Sequence, residues 1–153
     1  MVYKFSENAN FEDLSCGRVI CPKIGFSNYP VRLAGEIFMR CLAVMGNPGK
    51  KVSVYDPCCG GGYLLTVLGF LYGDKIESLY GSDISPSAVE LAEKNLGLLT
   101  TEGLLRRKNQ LETMYNTYGK DSHEQAMKSA DNLLKKFING ADRKTRIIVQ
   151  NTD

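Results

Sequence analysis

Val52-Ser53-Val54-Tyr55-Asp56-Pro57-Cys58-Cys59-Gly60-Gly61-Gly62-Tyr63-Leu64-Leu65-Thr66-Val67-Leu68 decides the fold. A β-branched run, Val52 and Val54 with Tyr55 behind them, stops at the acid Asp56. Small residues follow, and then an apolar helical stripe through Leu64, Leu65, Val67 and Leu68. The pattern predicts strand, glycine turn and helix. Glycine suits the turn because the backbone reverses sharply there and a ligand can approach it without meeting a Cβ. In open α/β sheets ligands bind beyond the carboxyl ends of the strands, where this loop is expected.

A dinucleotide fingerprint would read G-x-G-x-x-G, the third glycine permitting close helix–strand packing. Gly60 and Gly62 fit, but the third position is Leu65. Nor does that fingerprint ask for Asp56, four residues ahead of Gly60. Asp-x-x-x-Gly-x-Gly at the end of a first strand resembles motif I of class I S-adenosylmethionine-dependent methyltransferases. In those enzymes the loop lies against the methionyl part of the cofactor.

Ile76-Glu77-Ser78-Leu79-Tyr80-Gly81-Ser82-Asp83 reads as a second strand ending on an acid. Asp83 lies about 20 residues past the glycines, where a ribose-binding carboxylate is expected. A carboxylate accepts from both ribose hydroxyls at once. The plainer alternative is a capping acid in a solvated turn. Ser85-Pro86 predicts the start of the next helix, with Ser as cap and Pro at its first position.

Working outward, residues 1–29 read as an irregular extension, with a short strand or hairpin around Arg18 to Cys21. Pro30 opens a helix to about Met45, with Leu33, Ile37, Cys41 and Val44 at helical spacing and Gly46-Asn47-Pro48-Gly49 ending it. Helices to about Tyr72 and from Pro86 to about Leu99 follow their strands. A helical pair over 101–139 comes next. One stripe runs through Leu104, Leu111, Tyr115 and Tyr118; the other through Ala126, Ala130, Leu133 and Phe137. The second has a box-like start at Ser122 and Gln125 and a stop at Asn139-Gly140. Arg146 to Gln150 reads as a third strand. One crossover helix normally joins neighbouring parallel strands, so three in succession imply an insertion. The 153 residues form one α/β, Rossmann-like domain in this reading.

Composition excludes more than it assigns. A formal net charge of +2 demands no polyanionic partner, although from Thr101 to Arg146 basic residues outnumber acidic ones ten to six. Nothing is apolar enough to span a bilayer and no signal-peptide pattern opens the chain, so a cytoplasmic protein without a membrane partner is expected. Cys16, Cys21, Cys41, Cys58 and Cys59 are odd in number and form no paired C-x-x-C knuckles, and His123 is distant from them. Reduced thiols and no metal are expected.

Cys58 and Cys59, after Pro57, raise the idea of a cysteine nucleophile such as cytosine C5-methyltransferases use. That cysteine belongs to a later loop, so small residues lining the cofactor turn are the better reading. Tyr63 either stacks on a ligand or covers the helix start. Arg106, Arg107 and Lys108 suit a solvated helix face, and His123 a first helical turn without chemistry.

The resemblance extends well past the glycine loop. Cys16-Gly17-Arg18-Val19, Gly25-Phe26, Pro30-Val31-Arg32-Leu33-Ala34, Glu36-Ile37-Phe38, Asp56-Pro57-Cys58-Cys59-Gly60, Gly62 to Gly69, Ser82-Asp83 and Lys94-Asn95-Leu96 together resemble the N-terminal part of the avilamycin-resistance (AviRa-type) ribosomal RNA methyltransferase family. It implies methyl transfer from S-adenosylmethionine to a guanine of 23S ribosomal RNA. The implied cofactor contacts are Asp56, Cys58, Cys59, Gly60, Gly62, Tyr63, Asp83, Ile84 and, near the adenine, Asp153. RNA contacts are implied for the N-terminal segment, with Arg18 and Arg32 the favoured residues, and for the inserted helices.

Class I methyltransferases have about seven strands; three are legible here, and the Asp-Pro-Pro-Tyr-like loop facing the target base is not among them. The expectation is a domain truncated after its third strand, a fragment or a naturally short protein, lacking the acceptor half. Its first strand would then be an open edge inviting self-association. Two alternatives remain: a non-catalytic cofactor- or RNA-binding fragment, and a nicotinamide-binding Rossmann domain.

Overall fold

In a computed structural model, which describes the chain outside residues 1, 7, 23–24, 26–28, 47–48, 139–144 and 153, three strands form a parallel sheet. They are β1 (Val52–Asp56), β2 (Ile76–Asp83) and β3 (Arg146–Asn151), in the order β1-β2-β3. The register sets Val54 beside Leu79 and Leu79 beside Ile147, so one row of side chains is apolar. That row joins the core. The alternate row, Tyr55, Tyr80 and Ile148, stands outside it, because successive strand residues point to opposite faces. Among the described residues β1 and β3 are the two edges.

The helices are α1 (Val31–Met45), α2 (Tyr63–Tyr72), α3 (Pro86–Leu96), α4 (Thr101–Tyr118) and α5 (Asp121–Ile138). α2 follows the glycine turn and buries Leu65, Val67, Leu68 and Phe70, each worth about 1.5–3 kcal/mol when fully withdrawn from water. α3 starts at Pro86, but the Ser85 hydroxyl pairs with that of Ser87 instead of capping the helix. A 3-10 turn, Gly97–Leu99, then leads to α4, where Thr100 Oγ1 accepts from the Gly103 amide and caps the start. α4 packs against α5, and Leu104 and Leu111 of α4 and Ala126, Ala130 and Leu133 of α5 are buried in the core, while Tyr118 remains exposed. α5 begins at Asp121, ahead of the expected Ser122 start; its Asn139-Gly140 stop lies outside the described residues.

One expectation fails instructively. Arg18 to Cys21 forms bends and no strand. Four of its backbone groups are taken by side chains: the Arg107 guanidinium donates to the carbonyls of Arg18 and Val19, and Asn95 takes both the amide and the carbonyl of Cys21. Val19 and Ile20 are nevertheless fully buried.

In α1 the stripe legible in the sequence is the face that is not buried. Ala34 and Phe38 face the core, Phe38 meeting Tyr72 of α2 with ring centroids 5.0 Å apart. Ile37, Cys41 and Met45 instead line an apolar groove of about 360 Å³ along β1, beside Val52 and Val54. Glu36 is wholly buried. Its carboxylate accepts from the amides of Lys4, Phe5 and Ser6 at 2.8–2.9 Å and from Arg40 Nε at 2.7 Å. Burial alone would raise its pKa, but these donors outweigh burial and hold it at about 2.

Candidate cofactor-binding site

The glycine turn sits at the carboxyl ends of β1 and β2, framed by the last residue of each. Asp56 ends β1, and its Oδ1 accepts from the Cys58 amide at 3.1 Å. Asp83 ends β2, and its Oδ2 accepts from the Gly60 amide at 2.9 Å. Its Oδ1 accepts from the Ser85 amide at 2.9 Å. Asp83 therefore both ties the loop and turns the chain into α3. Each oxygen retains further acceptor capacity, since a carboxylate offers about four lone-pair sites.

Two further loop amides are also engaged. Cys59 N–H donates to Ser82 O at 2.9 Å and Gly62 N–H to Cys59 O at 2.8 Å. With the amides of residues 58, 59, 60 and 62 all donating within the chain, the turn presents Cα atoms more than spare donors. Gly62 has φ 70°, and a Cβ there would lie 3.0 Å from the Ala92 Cα of α3. Glycine is required on both counts.

The position of the absent third glycine is resolved across the interface. Leu65 is fully buried, and the small residue opposite it is Gly81 of β2. A Cβ on Gly81 would stand 3.0 Å from Cys59 Sγ and 3.2 Å from Leu65 Cδ1. Close helix–strand packing is thus achieved with the glycine on the strand, which a pattern confined to the loop does not find.

A cleft of about 300 Å³ opens over the turn, lined by Asp56, Cys58, Cys59, Gly60, Tyr63 and Asn95 among others. Tyr63 OH donates to Leu14 O at 3.0 Å, so the ring covers the helix start and holds the N-terminal segment while bordering the cleft. Cys58 is exposed and Cys59 buried. Burial, reinforced by the Asp56 and Asp83 carboxylates, pushes the Cys59 thiol up to about 11, which removes it as a nucleophile near neutral pH. Ile84 exposes its side chain at the tip of β2. Asp153 lies outside the described residues.

Arg18 and Arg32 are drawn into contacts within the chain. Arg18 donates to Ser129 Oγ at 3.2 Å and pairs with Glu12 at 3.6 Å. Arg32 donates to Ser6 O and lies over the Tyr3 ring at 4.1 Å. On the inserted helices Arg106 pairs with Glu102, Lys108 with Asp131 and Lys128 with Glu124. Among the described residues no cluster of His, Cys, Asp or Glu is arranged to hold a metal, and no helix is long and apolar enough to cross a membrane.

Parallel strands, a glycine turn between two strand-end carboxylates and a crossover helix packed on that turn define a Rossmann-like domain of the class I methyltransferase type. Comparison with known proteins makes this specific. Residues 1–153 match the family model described as rRNA methyltransferase AviRa, and the chain belongs to that family. It is 42% identical over 131 residues to the 23S rRNA (guanine(2535)-N(1))-methyltransferase of Streptomyces viridochromogenes, an alignment covering 86% of this chain and 52% of that protein. Two solved structures of the rRNA methyltransferase aviRa from Streptomyces viridochromogenes, at 1.5 and 2.4 Å, superpose with TM-scores of 0.92 and 0.90 at 37% identity. They cover 100% of this chain and 61% of theirs, so the chain spans just over half the length of its curated relative.

Proposed function

We propose that this chain is the cofactor-binding part of an S-adenosylmethionine-dependent methyltransferase acting on a guanine of 23S ribosomal RNA in the cytoplasm. The observation that carries the cofactor is the turn held between Asp56 and Asp83, with four of its amides already engaged. A pyrophosphate is best held by a cradle of spare N–H donors, whereas a sulfonium carries positive charge and calls for close backbone approach beside a carboxylate. Gly60 to Gly62 and Asp56 supply those features. Asp83 Oδ1 and Oδ2, each with acceptor capacity left, would take the ribose hydroxyls, and Cys58, Tyr63 and Ile84 would border the ligand.

S-adenosylmethionine, when bound, supplies an electrophilic methyl group. Methyl transfer is an in-line displacement, so what the chain's own residues contribute is position. The two carboxylates and the stiffened turn set where the methyl group points. A guanine edge must be unpaired or extruded to meet it. Support for the RNA substrate comes from the relatives. In this proposal Arg18 and Arg32 act by holding the N-terminal segment beside the cleft as part of an RNA-facing wall.

Titration calorimetry with S-adenosylmethionine, S-adenosylhomocysteine and NAD tests the reading. Heat with the first two and none with NAD is expected; binding of NAD alone overturns it.

A further inference from the structure

Asn95 is 1% exposed, and both donors of its amide are used. Nδ2 donates to Gly61 O at 2.8 Å and to Cys21 O at 3.1 Å, while Oδ1 accepts from the Cys21 amide at 2.8 Å. One side chain on α3 thus holds the middle of the glycine turn and both polar groups of a residue 74 positions away. Segment 18–21 has no ladder of its own. On its other side Arg107 of α4 holds Val19 O at 2.9 Å and Arg18 O at 3.4 Å. Asn95 and Cys21 both border the cleft over the turn; Arg107 does not.

We infer that Asn95 is a positioning residue that makes the cofactor turn's conformation conditional on the seating of segment 18–21, so that the N-terminal segment and the cofactor bind cooperatively. This rests on the cofactor assignment above for its ligand, though not for the coupling itself. When segment 18–21 lifts, Asn95 loses two of its three partners and a buried amide must reorient or stay unpaired, which releases Gly61 O. Any ligand that needs the seated turn therefore favours the seated segment by the same factor, as linkage requires. The inserted helix α4 is linked to the cofactor site by this route, since Arg107 holds one side of segment 18–21 and Asn95 the other.

Hydrogen exchange of amides 58–62, followed by mass spectrometry, provides the test in the full chain with Asn95→Asp, Arg107→Gln and both together. Asn95→Asp keeps the acceptor for Cys21 N–H but loses both donors. It should speed exchange in the turn by about tenfold, equivalent to roughly one hydrogen bond. Arg107→Gln, which leaves Asn95 intact, should speed it about threefold alone and add nothing in the Asn95→Asp background, the non-additivity expected of one coupled path. The dissociation constant for S-adenosylmethionine should follow the same order. Turn exchange within twofold of wild type in Asn95→Asp, or single effects that simply multiply, overturns the coupling. If Asn95→Asp does not fold, the Arg107→Gln arm decides: no change in the turn refutes it. A wild type that binds no S-adenosylmethionine removes the cofactor assignment while the exchange pattern still judges the coupling.

Discussion

The Gly60 amide and the Asp83 carboxylate meet at 2.9 Å, joining the turn after β1 to the end of β2. The same carboxylate takes the Ser85 amide. Asp83→Asn retains one acceptor oxygen and loses the charge. Hydrogen bonds to a charged group contribute about 1.5–3 kcal/mol, so a stability loss of about that size is expected, read as a lower denaturant midpoint at unchanged slope. Affinity for S-adenosylmethionine should fall at least about tenfold in calorimetry if Asp83 holds both the turn and the ribose, as proposed. Unchanged affinity would remove Asp83 from the site.

Gly62 combines a left-handed φ with contact against the α3 backbone. In Gly62→Ala the backbone conformation alone costs about 1–2 kcal/mol, and the approach to Ala92 adds to it. A chemical melt within about 0.5 kcal/mol of wild type would mean that the turn does not need glycine there.

Cys58 and Cys59 differ in exposure. With the Cys59 thiol pushed up to about 11 and buried, maleimide at neutral pH should label exposed Cys58 well before Cys59. The double replacement Cys58→Ser, Cys59→Ser should keep cofactor affinity within a few-fold. Complete loss of binding would restore a direct role for the thiols.

Glu36 ties the extreme N-terminal segment to α1. Its carboxyl is lowered from an ordinary 4.5 to about 2, so the folded state favours the charged form. The resulting stabilisation is complete above pH 4.5 and is lost as pH falls toward about 2. Melting temperatures should fall across that window in wild type, and more shallowly in Glu36→Gln, whose stability lacks this dependence. Parallel profiles for the two proteins would refute the assignment.

Parallel sheets are normally covered on both faces and their central strands paired on both sides. Here the Tyr55, Tyr80 and Ile148 row stands outside the core and β1 borders the groove lined by Ile37, Cys41 and Met45. Open edges of this kind recruit other strands. Light scattering of the isolated chain should report dimers or larger species, with Ile37→Lys plus Met45→Lys shifting them toward monomer. A monodisperse wild-type monomer would rule the association out.

The local order of the chain was readable because it is written in contiguous residues. Val52 to Leu68 dictates strand, turn and helix through β-branching, glycine and helical spacing, and the two acids mark the ends of β1 and β2. What the sequence could not convey is which groups meet across long separations. Nothing near Asn95 announces that it will hold Cys21 and Gly61, nothing near Glu36 that it will take three consecutive amides, and nothing near Gly81 that it stands in for a glycine missing from α2. The stripe on α1 gave the helix but not its covering: spacing shows that a face is apolar, and only the packing of neighbouring elements decides whether that face is covered. Buried polar groups must find partners wherever the fold brings them, so their pairing is a property of the assembled tertiary structure.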